Sequence, residues 1–246
     1  MEHFKEKVAL VTGGNSGIGF ATAKELVANG AKVIITGRRK EAIEQAASEI
    51  GAFPIVADQE DLSAIDLLAE GISKQFGKID ILFINAGITG LNNLIAQADV
   101  SDFDKVMGIN FRGSYFTLSK LIPLLNDGAS VVFLSSIAAT THTPKSSVYQ
   151  ASKAAISSIA KTAAAELAGR KIRVNTVSPG PTRTDVLNKT YDDLAAQAIW
   201  ENLANSLPLK KIGLPENVAK LVVYLCKEEA SFITGADFVL DGGMTL

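Results

Sequence analysis

The 246-residue chain has one cysteine, one tryptophan and two histidines. Cys226 lacks an intrachain partner, which excludes a disulfide framework; in the apolar segment LVVYLC it reads as a core residue of a protein from a reducing compartment. His3 and His142 are too few and too far apart to form a metal cluster, so no metal is expected. The absence of a G-x-S-x-G elbow disfavours a hydrolase triad. No apolar run approaches membrane-spanning length, and MEHFKEKVALVTGG contains no signal-peptide core. A net charge of −2 without runs of one sign leaves no electrostatic footprint for nucleic acid or an anionic membrane. The expectation is a cytoplasmic protein with neither partner. No linker or low-complexity tract divides the chain, so residues 1–246 read as one domain.

What is present is a rhythm. Short apolar runs recur at Val8–Val11, Lys32–Thr36, Phe53–Ala57, Ile79–Ile84, Ser130–Leu134, Ile172–Val177 and Asp237–Leu240, mostly separated by helical patterns. Strands that are apolar on both faces and alternate with helices predict an α/β fold. Its form is a doubly wound (Rossmann) parallel sheet of seven strands with helices on both faces and ligands at the strands' carboxyl ends.

The first strand runs into Thr12-Gly13-Gly14-Asn15-Ser16-Gly17-Ile18-Gly19 and then a helix. Gly13 permits the tight turn, Gly17 lets backbone approach a pyrophosphate, and Gly19 allows helix to pack on strand. The helix start supplies N–H groups for the anion. In dinucleotide folds an acidic residue ends the second strand and binds the 2′-hydroxyl of NAD. Here Gly37 leaves that position empty, and Arg38 and Arg39 follow with planar donor groups suited to a 2′-phosphate. NADP(H) is therefore favoured over NAD(H), the alternative being that both arginines are solvated and pair with Glu41 or Glu44. Asp58 and Gln59 end the third strand and Asn85-Ala86-Gly87 the fourth, at the same sheet edge. Asn110 falls inside an amphipathic segment, Phe103 to Leu125, where asparagine has poor helix propensity; a solvent-facing side chain is the plain reading.

Ser130 to Lys153 carries the candidate chemistry. A buried strand ends in Ser135 and Ser136, a polar loop follows, and Tyr149 and Lys153 lie one helical turn apart on one face. An ammonium favours phenolate and would bring the tyrosine pKa down from about 10, while a serine hydroxyl can hold the substrate oxygen. Y-x-x-x-K by itself is a weak signal; its company raises it.

Taken together and in order, these motifs resemble the short-chain dehydrogenase/reductase family over essentially the full chain. Thr12–Gly19 is similar to T-G-x-x-x-G-x-G, Asn85-Ala86-Gly87 to most of N-N-A-G, Asn110 with Gly113 to N-x-x-G, Tyr149 with Lys153 to Y-x-x-x-K, and Pro179-Gly180 to P-G after the sixth strand. The resemblance implies that Tyr149 is the general acid/base and that Lys153 binds the nicotinamide ribose and lowers the tyrosine pKa. It further implies that Ser136, thirteen residues before Tyr149, positions the carbonyl, Ser135 staying open, and that Asn110 holds a relay water. Asn15, Ser16 and Ile18 belong to the implied cofactor turn, Asp58 stands near adenine, and Thr182 and Thr184 sit at nicotinamide-contacting positions. Ile84 in place of the first Asn, and Pro181 with Thr182 after P-G, depart from the pattern.

The implied reaction moves a hydride between a nicotinamide and a ketone or secondary alcohol. A 3-oxoacyl-thioester reductase and a non-catalytic NADP-binding regulator are the alternatives; enoyl reduction is disfavoured by the Tyr–Lys spacing. Residues 186–207, with Leu187, Tyr191, Leu194, Ile199, Trp200 and Leu203, read as a lid suited to an apolar or aromatic substrate, or as side chains packed on the body. The small side chains around the Tyr149 helix fit the family's habit of pairing this helix between subunits, so a homotetramer or dimer is expected.

Overall fold

The computed structural model describes residues 3–184 and 192–246. Among them, seven strands form one parallel sheet in the order β3-β2-β1-β4-β5-β6-β7. These are β1 (Val8–Thr12), β2 (Lys32–Gly37), β3 (Phe53–Val56), β4 (Ile79–Ile84), β5 (Leu125–Leu134), β6 (Arg173–Pro179) and β7 (Asp237–Leu240). The helices are α1 (Gly17–Ala28), α2 (Lys40–Ile50), α3 (Leu62–Gln75), α4 (Val100–Met107), α5 (Ser114–Leu121), α6 (Ser147–Leu167), α7 (Asp193–Ser206) and α8 (Pro215–Cys226). A π-helical turn, Gly108–Gly113, joins α4 to α5.

The apolar runs explain the two layers of helices. Side chains alternate across a strand, so Ile34, Leu10, Leu82, Val131 and Val174 form one register row and Ile35, Val11, Phe83 and Val132 the next. The first row packs with Leu68 and Ile72 of α3, Leu118 and Leu121 of α5, and Ile156 and Ala160 of α6. The second packs on the opposite face with Ala23 and Leu26 of α1, Ile43 and Ala47 of α2, and Val218 and Val222 of α8. Both rows are fully buried, each large side chain contributing about 1.5–3 kcal/mol. Cys226 belongs to the second core's periphery, and burial pushes its thiol up to about 12.

β1 pairs with β2 on one side and β4 on the other, so consecutive crossovers leave it in opposite directions. That reversal opens a crevice at the carboxyl ends of β1 and β4. The strands differ from the sequence expectation mainly at β5, which begins at Leu125. Its register jumps between Ile79↔Leu125 and Ile81↔Ser130, and the bulged stretch contains polar Asn126 and Asp127 with Gly128 at φ 82°. A bulge breaks the period-two pattern that would have revealed it.

Candidate active site

A cleft of about 840 Å³ runs along this edge from Arg38 and Arg39 to Tyr149 and Lys153. The Thr12–Gly19 turn lines it and is held in shape by β4. The Asn85 side chain donates to the carbonyls of Thr12 at 2.9 Å and Gly13 at 3.1 Å, while the Thr12 hydroxyl accepts from the backbone N–H groups of Asn85 and Ala86. Gly13 and Gly17 have φ of +64° and +54°. A Cβ on Gly19 would lie 2.2 Å from the Gly13 carbonyl oxygen, so only glycine lets α1 start here. Ser16 precedes α1 without a side-chain capping bond, which leaves first-turn N–H groups of this helix free to face an anion.

At the far end of β2, a Cβ on Gly37 would meet Asn15 Oδ1 at 3.2 Å, so the place of a ribose-binding carboxylate is taken by Asn15. Arg38 and Arg39 are exposed, and neither forms an ion pair among the described residues; Glu44 pairs with Lys40 at 4.0 Å instead. Asp58 lines the opposite wall. Gln59 lines it too, but its side chain is 8% exposed and bonded inward.

The chemical end is built by β5 and α6. Ser135 is buried, its hydroxyl bonded to the Lys153 carbonyl at 3.2 Å and to Ser157 at 2.8 Å, so it fastens strand to helix. Ser136 instead starts the 3₁₀ turn Ile137–Ala139, its hydroxyl accepting from the Ala138 N–H at 3.1 Å, and stands beside the phenol of Tyr149. Lys153 is 3% exposed; its Nζ donates to the Leu134 carbonyl at 2.8 Å and lies 5.8 Å from the Tyr149 ring centroid. Burial lowers the Lys153 ammonium to about 8. It also pushes the Tyr149 phenol above its ordinary value, offset in part by the Ser136 hydroxyl. Burial thus outweighs any lowering of the phenol by Lys153, whose Nζ is bonded to the Leu134 carbonyl.

Asn110 does not face solvent. It is wholly buried in the π turn, donating to the Ile88 carbonyl at 2.8 Å and to Ser152 at 3.0 Å and accepting from the Ile88 N–H at 2.8 Å. A Cβ on Gly87 would stand 3.1 Å from Asn110 Oδ1 and 3.7 Å from Lys153 Nζ, which brings these three residues to one point. The widened turn rotates Asn110 inward, a common use of π bulges at functional sites.

Of the remaining candidates, Ile18, Ala86 and Thr184 line the cleft. Pro179, Gly180 and Thr182 are not among the described residues lining it. Pro179 pairs with Leu240, a Cβ on Gly180 would lie 2.6 Å from Asp241, and Thr182 bonds the Gly180 carbonyl while bridging to Gly213. They set the path of the chain past the sheet. Leu134, Ile88 and Ser152 had no sequence signal; their parts depend on backbone carbonyls and on neighbours distant in the chain. In the expected lid, Leu187 and Tyr191 lie outside the described residues. Trp200 is buried on α7 at 7% exposure, whereas Leu194 is 86% exposed. Among the described residues no group of His, Cys, Asp and Glu could hold a metal, and no helix is long and apolar enough to cross a membrane.

The family profile described as Enoyl-(Acyl carrier protein) reductase matches residues 13–245. An NADP-dependent (R)-specific alcohol dehydrogenase of Lentilactobacillus kefiri is 34% identical over 99% of this chain and 98% of its own. The 3-oxoacyl-(acyl-carrier-protein) reductase of Thermotoga maritima is 33% identical over 98% of each. A solved structure described as a short chain dehydrogenase/reductase family protein superposes with a TM-score of 0.87 at 38% identity, covering 98% of both chains.

Proposed function

The chain belongs to the short-chain dehydrogenase/reductase family and is an oxidoreductase of carbonyl and alcohol groups with a nicotinamide cofactor, and we propose that Tyr149 is its proton donor and acceptor. The observation that carries this is the placing of Tyr149 and Lys153 together in the wall of a cleft that also takes in a free helix N-terminus, with Ser136 beside Tyr149. The residues fit a dinucleotide: glycines where a Cβ would clash, free N–H groups for the pyrophosphate, and unpaired arginines beyond it. When bound, the cofactor supplies or accepts the hydride at its nicotinamide C4.

The chain's own residues handle the proton. In reduction the Tyr149 hydroxyl delivers its proton to the carbonyl oxygen, which Ser136 holds by hydrogen bonding; in oxidation Tyr149 takes the alcohol proton. Lys153 binds the ribose and stabilises the phenolate left behind. Since both polar atoms of the Asn110 side chain are occupied by Ile88 and Ser152, the relay water behind Lys153 falls to the Asn110 main chain.

NADP(H) is the preferred cofactor in this reading, supported by Arg38 and Arg39 and by the name of the Lentilactobacillus relative. Titration with NADPH and NADH, followed by nicotinamide fluorescence, tests it. NADPH should bind more tightly, and Arg38→Ala should weaken NADPH about tenfold, some 1.4 kcal/mol, without changing NADH. Equal binding of both, unaltered in the variant, would return Arg38 to the solvated surface.

The substrate is an apolar or aromatic ketone or its alcohol. Beyond cleft residues Ile88–Gly90 the chain exposes Leu91, Leu94 and Ile95, and α7 exposes Leu194, in keeping with a lid over 186–207. The Thermotoga relative favours a second substrate, a 3-oxoacyl thioester. Steady-state comparison of aryl ketones with an acetoacetyl thioester decides between them. Self-association as a homotetramer or dimer follows from α6, whose outward Ala151, Ala154, Ser158 and Ala165 would admit another helix closely. Light scattering at micromolar concentration should give two or four chain masses; one chain mass would overturn the assembly.

A further inference from the structure

Gln59 stands at the end of β3 yet acts on residues 27 to 55 positions away. Its Nε2 lies 3.1 Å from the Ala86 carbonyl oxygen, 3.0 Å from that of Ile109 and 3.1 Å from Ser114 Oγ. The first is the carbonyl of the Ala86–Gly87 peptide and the second that of the Ile109–Asn110 peptide. Ser114 follows Ile109 by five residues, the span of one π turn. Asn110 ties the same two segments together from the other side, through Ile88.

Two further observations show that this amide is not a spacer. Turning it over would set Oε1 against two carbonyl oxygens, so the donor must face inward. Oε1 is then left buried with no hydrogen-bond partner among the described residues, at a cost of about 1–3 kcal/mol. A leucine or methionine would fill the space without that cost. The π turn also lies directly on the Gln59 main chain, where a Cβ on Gly113 would come 2.1 Å from the Gln59 carbonyl oxygen.

We propose that Gln59 is a positioning residue for proton transfer: its amide clamps the π turn to the Ala86–Gly87 end of β4 and thereby holds Asn110 behind Lys153. This rests on the assignment of Asn110 to the proton relay. Displacing that turn moves the Asn110 main chain relative to Lys153, while the Thr12–Gly19 turn keeps its own bonds to Asn85 and Ala86 and the arginines are not involved.

Gln59→Met keeps the length and removes the donor. At saturating cofactor its kcat should fall about tenfold, as expected of a relay group moved by a fraction of an ångström. Its pH profile of kcat should shift, while NADPH affinity by fluorescence stays within about twofold. In an Asn110→Ala background the same substitution should cost little more, because both changes act on one unit. A folded Gln59→Met enzyme with unchanged kcat and pH profile would overturn the clamp, as would losses that multiply independently in the double variant. Asn110→Ala alone separates the two levels. Because that variant keeps the main chain and loses only the bonds to Ile88 and Ser152 that anchor it, full activity in it and in Gln59→Met alike removes the relay and the clamp with it; lost activity there with a normal Gln59→Met enzyme removes the clamp alone. Gln59→Asn, one methylene shorter with the amide retained, covers a Met variant that does not fold. It should show the same pH shift with a smaller fall in kcat, and a wild-type profile would count against the proposal.

Discussion

Replacement of Tyr149 by phenylalanine should lower kcat by about 10³-fold, within the 10²–10⁴ range that a positioned proton donor contributes. The ring stays, so packing on α6 and the cleft wall stays with it. The hydroxyl is lost, and with it the group that stands beside Ser136. NADPH affinity, read by fluorescence titration, should remain within about twofold, because the anion and arginine contacts lie at the other end of the cleft. A Tyr149→Phe enzyme with near-normal turnover would remove the phenol from the mechanism. Ser136→Ala should show a smaller loss of the same kind, whereas Ser135→Ala should chiefly lower stability, since its hydroxyl joins β5 to α6.

The second large effect concerns Lys153 and has opposite signs for stability and activity. Burial lowers its ammonium from 10.5 to about 8. At pH 7 folded and unfolded chains both carry the proton, and the folded chain bears the burial penalty, roughly 3 kcal/mol. Between about pH 8 and 10.5 the unfolded chain holds the proton and the folded one releases it, so wild-type stability rises with pH across that window. Lys153→Met removes the penalty but leaves the Leu134 carbonyl unpaired, worth about 1–2 kcal/mol. The variant should therefore be more stable than wild type by about 1–2 kcal/mol at pH 7, with Tm up by roughly 2–4 °C per kcal/mol. That advantage should shrink through pH 8–10.5 and give way above it to a deficit of about 1–2 kcal/mol, the unpaired Leu134 carbonyl. Activity should fall at least about 10²-fold, as a charge placed for the transition state is gone. Melting curves across pH 6–11 check the sign; a Met variant less stable than wild type at pH 7 would mean that the buried ammonium is not penalised.

The sheet was legible because both its faces are buried. Stretches such as Val8–Val11 and Ile81–Ile84 read as uninterrupted apolar runs, and their alternation alone assigns Leu10 to one core and Val11 to the other. The glycine turn was legible for a related reason: a backbone that must come close to a helix start tolerates no Cβ, as Gly19 demonstrates. The bulge before Ser130 was not legible, since Asn126 to Gly128 look like an ordinary turn. Asn110 was open to a wrong reading on helix propensity, because propensity describes a regular helix and this residue sits in a π turn.

Local order in the chain thus determined the parallel α/β sheet, the cofactor edge, the empty acidic position at Gly37 and the Tyr149–Lys153 pair, all of which follow from residue spacing and from groups within one turn of each other. Which of two adjacent serines meets the tyrosine, where Lys153 directs its proton, and what the Gln59 amide grips were decided only by the tertiary structure. Those outcomes depend on carbonyls and hydroxyls tens of residues away. Burial, which sets the direction of both the Tyr149 and the Lys153 shifts, exists only once the helices have closed over the sheet.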